Sequence, residues 1–355
     1  MFSSFPARAK LWWRAAASNI RNQLSEGIIA PIIPQHKSHL RSDQIDSVST
    51  NADHRDMNQV GRDDLNITKG TTMMLNRRGL FALALMPFMG VPAMAQTLPD
   101  HITIATEGAY PPWNYTAPDN SLIGYEIDLI KILCERMKTK CDVISQEWNG
   151  IIPGLTVGKY DAIIASMGVT EERKKVVAFS KPYARAPNGF LTTGDNELKD
   201  LPDPGQSFDL ATKPEQAAAV LAAIKAKLEG KVIGIQTGST AAPFAAEYLK
   251  GLDVREYPTF EQLGLELTAG RVDIAIANVT AFKAIIDANP PGTLVFTGPT
   301  FAGGVLGLGT TNVAFRQGEA PLQAAFDTAI DEINKDGTNA ALTSKWFGTD
   351  ISIKE

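Results

Sequence analysis

Two stretches of the chain repeat each other. Leu155-Thr-Val-Gly-Lys-Tyr-Asp-Ala-Ile-Ile-Ala-Ser166 matches Leu267-Thr-Ala-Gly-Arg-Val-Asp-Ile-Ala-Ile-Ala-Asn278 at a constant spacing of 112 residues. Each copy reads as a helix end, a glycine stop and a buried strand closing on a small polar residue. A second echo pairs Ile102-Thr-Ile-Ala-Thr-Glu-Gly108 with Ile233-Gly-Ile-Gln-Thr-Gly238 as strands running into loops. A spacing this long excludes a solenoid. It calls for two similar lobes in tandem.

Around the repeats, strand and helix patterns alternate. His101-Ile-Thr-Ile-Ala-Thr reads as a strand, and the Gly- and Pro-marked Glu107-Gly-Ala-Tyr-Pro-Pro-Trp-Asn as a loop. From Tyr125 onward, Ile127, Ile130, Leu133 and Met137 fall near one helix face. Such alternation predicts mainly parallel sheets flanked by helices, an α/β architecture. Ligands bind beyond the carboxyl ends of strands in such sheets. That rule selects Thr106 to Tyr110 and Ser166 to Gly168 in the first lobe, and Gln236 to Thr240 and Asn278 in the second. The polar, Pro-rich stretch from Asp195 to Gln206 is the expected crossing between lobes. Val295 to Thr300 is the expected return, and Leu322 to Phe347 reads as helices rejoining the first lobe.

The N-terminal part differs in kind. Residues 1–72 hold three of the four histidines and a polar middle without hydrophobic period, and read as an extension with no packed core. Met74-Leu-Asn-Arg-Arg-Gly-Leu-Phe-Ala-Leu-Ala-Leu-Met-Pro follows, ending on Ala93-Met-Ala95. A basic start, an apolar run and a small-x-small end make residues 73–95 a signal peptide cut after Ala95. The Arg77-Arg78 pair leaves the twin-arginine route open beside the general one. A signal peptide so placed suggests that synthesis starts at Met73 or Met74 and that residues 1–72 are upstream sequence; a long leader is the alternative. The expected division is 1–72 extension, 73–95 signal peptide, 96–191 first part of lobe one, 192–297 lobe two and 298–355 the return to lobe one.

After Ala95 the chain carries a net charge of −9, one histidine (His101) and two cysteines. The acidic balance and lack of a Lys/Arg block argue against nucleic acid as a partner. One histidine near the new terminus leaves too few ligands for a zinc site and none for a His-based triad. Neither metal nor cofactor is expected. Cys134 and Cys141, seven apart, read as a disulfide in an exported protein, with two free thiols as the alternative.

Several residues at the expected cleft suit ligand binding. Arg173 follows the N-cap candidate Thr170 and a strand end, and a guanidinium matches a carboxylate with two parallel bonds. The bland reading is a solvated helix charge, the fate expected for Lys174 and Lys175. Gln236-Thr-Gly-Ser-Thr240 leads into a helix start that favours an anion, or is a plain capped turn. Tyr110, Trp113 and Trp148 offer ring faces to an aliphatic stem or a cation, or are core. Glu107 pairs a ligand cation or is merely solvated.

Taken together, Ala105-Thr-Glu-Gly-Ala-Tyr-Pro-Pro-Trp-Asn, Gly124-Tyr-Glu-Ile-Asp-Leu, Trp148-Asn-Gly-Ile-Ile-Pro-Gly-Leu and Tyr160 to Arg173 resemble family 3 of the bacterial solute-binding proteins. The likeness continues through Gly298-Pro-Thr-Phe-Ala-Gly-Gly to Lys345-Trp-Phe and covers residues 97–350. Within the family the chain is similar to octopine/nopaline (opine) binders and, next, to lysine/arginine/ornithine and histidine binders. The resemblance implies a two-lobed, type II periplasmic-binding-protein-like fold with two hinge crossings that closes around its ligand. It implies a monomeric periplasmic receptor, not an enzyme, that delivers an amino acid or opine to an ABC permease in the inner membrane. The alternative is a periplasmic enzyme resembling cyclohexadienyl dehydratase on the same fold.

By the same resemblance, Arg173 clamps the ligand α-carboxylate and Tyr110 and Trp148 flank its side chain. Glu107 pairs a distal cation. Ala165, Ser166 and Gly168 form the strand end against the carboxylate and amino groups. Gln236, Gly238, Ser239 and Thr240 belong to the second lobe's loop, the last three as donors. Cys134 and Cys141 match the disulfide of the lysine/arginine/ornithine group. Two positions depart from the pattern. Asn278 stands where an aspartate usually meets the α-ammonium, which favours a secondary amine with an extra carboxylate. Gly168 replaces a serine and widens the site. Asn188 falls near the hinge, at the second carboxylate region of opine binders.

Overall fold

The computed structural model describes residues 98–354. The extension, the signal peptide and its cut after Ala95 all lie outside the described residues.

Two sheets carry the architecture. In the first, the spatial order is Lys140–Ser145, His101–Thr106, Ala162–Ile163, Thr310–Arg316 and Val177–Arg185. The first three run parallel; Thr310–Arg316 runs antiparallel to both neighbours. In the second, the order is Asp253–Tyr257, Val232–Gln236, Ile274–Asn278, Asn188–Thr193, Leu294–Ala302 and Ser207–Asp209. Again the first three are parallel and the fourth is antiparallel to its neighbours. The parallel trios account for the near-continuous apolar strands, such as Ile274-Ala-Ile-Ala-Asn, buried at every residue. The antiparallel members are chain passing between the lobes.

The repeat is visible in three dimensions. The helices Trp148–Thr156 and Phe260–Thr268 each stop before a glycine with positive φ, Gly158 at 78° and Gly270 at 70°. These positions are equivalent in the repeat, and only glycine adopts that conformation at no steric cost. Each helix then leads to the third strand of its sheet. His101–Thr106 and Val232–Gln236, the second echo, take the matching second place in each order.

Both crossings differ from the sequence expectation. The chain leaves the first sheet after Arg185 and enters the second at Asn188. It returns between Ala302 and Thr310. Asp195 to Gln206 is instead a loop of the second sheet with a 3-10 turn at Glu197–Asp200, and Val295 to Thr300 lies inside a strand. The first crossing is only Ala186-Pro187, extended chain between two strands, so composition does not shift there. The two crossings are bonded to each other, Ala186 N donating to Gly309 O at 2.7 Å.

The helix Tyr125–Met137 buries Ile127, Leu129, Ile130 and Leu133 against the first sheet. Its last turn is tied to the next strand by the Cys134–Cys141 disulfide, with Cα atoms 6.2 Å apart. The helices Ala320–Lys335 and Thr338–Phe347 pack on the same sheet and close the first core.

Candidate functional site

The strand ends of the two sheets meet around a cavity of about 50 Å³. Glu107, Tyr110, Trp148, Ala165, Ser166, Gly168 and Arg173 line it from the first sheet's side. Asn188, Gln236, Ser239, Thr240 and Asn278 line it from the second. Gly238 stands just outside and joins the site through its carbonyl. Every residue singled out for binding except Trp113 is therefore brought to one place. Trp113 is fully buried behind the wall, against Tyr125 and Phe347, the core reading of that ring.

Arg173 sits in the one-turn helix Glu171–Lys174, whose N-cap Thr170 accepts from the Arg173 N–H at 3.2 Å. Its neighbours turn outward: Lys174 pairs with Glu171 and Lys175 with Glu172. Arg173 turns inward. Its guanidinium donates to Gly168 O at 2.7 Å and, across the cleft, to Gly238 O at 3.0 Å, and lies 5.2 Å from the Trp148 ring centre. It has no carboxylate partner in an ion pair among the described residues. Loss of solvent around it lowers its pKa to about 10. Two of its five N–H groups are used, so others remain to donate to an anion.

Glu107 follows the end of His101–Thr106 and is 6 % exposed. Burial pushes its pKa up to about 7; the bond from Gln236 opposes this and the charge of Glu126 adds to it. Gln236 Nε2 donates to Glu107 Oε1 at 2.8 Å, from the end of the matching strand of the other sheet. The turn between Glu107 and Tyr110 needs Gly108: its φ is 76°, and a Cβ there would stand 2.6 Å from Ser145 Oγ.

A further bond ties the lobes across the cavity, Asn278 Nδ2 donating to Ser166 Oγ at 3.3 Å. Within the second lobe, Asn188 Nδ2 donates to Thr240 Oγ1 at 3.2 Å. Tyr110 packs on Phe260 of the second lobe with centroids 4.9 Å apart. The cleft is closed.

Sequence reasoning did not single out Glu126. This carboxylate is fully buried beneath the site, accepting from Ser166 N at 2.6 Å, Asn114 Nδ2 at 2.5 Å and the Tyr183 hydroxyl. Burial raises its pKa to about 7 against these bonds. It holds the Ser166 backbone, which has φ 49°. An acid between Tyr125 and Ile127 on an apolar helix start was the available signal. Ala186, Leu306, Gly309 and Thr310 also line the cavity. They come from the crossings, which the sequence placed elsewhere.

The bacterial extracellular solute-binding proteins, family 3, match residues 102–349. An octopine-binding periplasmic protein of Rhizobium meliloti is 38% identical over 270 residues, covering 71% of this chain and 91% of its own. An L-arginine-binding protein of Pseudomonas aeruginosa is 32% identical over 275 residues, 77% of this chain and 96% of that one. Among solved structures, an ancestral arginine-binding protein bound to arginine superposes with a TM-score of 0.59 at 30% identity, over 70% of this chain and 99% of its own. A periplasmic His/Glu/Gln/Arg/opine family-binding protein from Silicibacter pomeroyi, in complex with lysine, gives 0.57 at 27%, over 71% and 100%.

Proposed function

Because the chain belongs to the bacterial extracellular solute-binding proteins, family 3, we propose that it is the periplasmic receptor of an ABC importer for an amino-acid-derived solute. The ligand is an opine such as octopine or nopaline, or a basic amino acid. The observation that carries this reading is Arg173, a desolvated guanidinium facing the cavity with no carboxylate partner among the described residues. A half-buried, desolvated cation of that kind is completed by an anion from the ligand. Glu107 supplies the opposite sign for a distal guanidinium or ammonium, and Tyr110 and Trp148 hold the stem between.

In this reading lobe one is residues 96–185 and 310–355, and lobe two is residues 188–302. The ligand bridges them, and the contacts made by both lobes supply the free energy of closure. A permease recognises the closed monomer. The receptor reaches the periplasm through cleavage after Ala95, and performs no covalent chemistry. A second reading is favoured by one feature, the pKa of Glu107 near 7, which suits a general acid or base. Product formation from a cyclohexadienyl substrate distinguishes it; none is expected.

The test is calorimetric titration of the purified protein, freed of co-purified ligand, with octopine, nopaline, arginine, lysine, ornithine and histidine. Tight binding of at least one is expected. Silence across all six would overturn the ligand class.

A further inference from the structure

We propose that Trp113 and Thr280 are positioning residues that set ligand preference through Asn278. They make its end of the cavity a hydrogen-bond donor, which favours a carboxylate there over a free α-ammonium. The proposal rests on the reading of the cavity as an opine or amino-acid site, and neither Trp113 nor Thr280 lines that cavity.

Asn278 is the N-cap of the helix Val279–Ala288. Its Oδ1 accepts from Thr280 N at 3.0 Å. A backbone N–H can only donate, so the amide atom on that side is the oxygen. The Thr280 hydroxyl lies 2.8 Å from the same oxygen. Which way that hydroxyl points is decided by Trp113, whose Nε1 is 3.0 Å from Thr280 Oγ1. An indole N–H is a donor only. Thr280 Oγ1 therefore accepts from the indole and gives its proton to Asn278 Oδ1.

Both acceptor sites of Oδ1 are thereby used. What Asn278 has left for the cavity is Nδ2 with its two protons, one directed at Ser166 Oγ at 3.3 Å. An aspartate in the same cap would keep a second oxygen for the cavity. The asparagine thus does more than remove a charge: it turns the polarity of this end from acceptor to donor. A ligand ammonium finds no acceptor in that side chain, whereas a carboxylate finds a donor.

The relay also crosses the cleft. Trp113 is fully buried beside Tyr125 and Phe347 of the first lobe, while Thr280 opens a helix of the second. The indole bond spans the two lobes as they stand here, so the same contact that joins them holds the amide.

The experiment compares Kd for octopine and for arginine, by calorimetry, in the wild-type protein and in Thr280→Val, Thr280→Ser and Trp113→Phe. Any loss of closure energy acts on both ligands and cancels from their ratio. Thr280→Val and Trp113→Phe should each cut the octopine-over-arginine preference about tenfold, the worth of one directed hydrogen bond. Thr280→Ser should restore it. A ratio unmoved in both Thr280→Val and Trp113→Phe overturns the proposal while leaving the receptor reading intact. A wild-type protein that binds neither ligand overturns both.

Discussion

Asn278 Nδ2 lies 3.3 Å from Ser166 Oγ, and these two residues end the two copies of the internal repeat. Equivalent strand ends of two similar lobes therefore face each other, and the cavity proposed to hold the ligand is the space between them. Aspartate at position 278 would offer an oxygen to that space. Asn278→Asp should shift the preference toward free arginine or lysine by at least tenfold, the scale of a charge-assisted bond gained against an unpaired carboxylate pair. Competition titration reads the ranking; an unchanged order would mean that position 278 does not select.

Arg173→Ala removes the cation that two backbone carbonyls hold in place. Two charge-assisted bonds to a carboxylate are each worth about 1.5–3 kcal/mol, so affinity should fall by roughly 10²-fold or more. Near-normal binding in this variant, measured by calorimetry, would remove Arg173 from the site.

Glu107 gives the site a pH dependence. Its pKa is raised from the ordinary 4.5 to about 7. Between those values the folded protein holds a proton that the unfolded chain has lost, so stability falls as pH rises through this window. Glu126 adds a second contribution of the same sign. A cationic ligand group favours the ionised Glu107, so affinity for arginine or octopine should rise toward about pH 7 and then level. Glu107→Gln should bind more weakly and flatten the profile. Wild-type affinity constant from about pH 5.5 to about pH 8 would exclude Glu107 as the partner of the cation.

Gly168 is replaceable in space. A Cβ there would meet Thr240 Cγ2 at 3.4 Å and Arg173 Nη1 at 4.0 Å, ordinary contacts, and its φ is not in the left-handed region. Gly168→Ser should fold normally and narrow the cavity beside the guanidinium. It should weaken a bulky N-substituted ligand about tenfold and a free amino acid less. Equal effects on octopine and arginine would show that this wall is not size-selective.

The disulfide lies at the far end of its strand from the cavity, Cys141 pairing with Ile102 while Glu107 follows Thr106. The closed loop spans a separation of seven residues, for which chain entropy gives about 2–3 kcal/mol. Cys134→Ser with Cys141→Ser should lower unfolding free energy in urea by that amount and leave Kd unchanged. A changed Kd would mean that this helix end reaches the site.

Much of the site was legible because strand ends carry it. Ser166, Gln236 and Asn278 each close a readable apolar run, and the repeat tells which ends correspond. The crossings were not legible, for a physical reason. Ala186-Pro187 joins two strands without a polar or glycine-rich interruption, whereas Asp195 to Gln206 has the composition of a linker but merely caps the second sheet. Ala186, Leu306, Gly309 and Thr310 were lost with them. Glu126 escaped because acids on buried helix faces look like errors of period until their partners, here Asn114 and Tyr183, are seen from other elements.

Ala186 and Gly309 are bonded to each other in the two crossings, and both also form part of the cavity wall. If the crossings are the hinge of the proposed receptor, its pivot would be touched by the cargo. A solute one group too large would then press on the axle as well as on the jaws, and its excess size would be expressed as an angle between them.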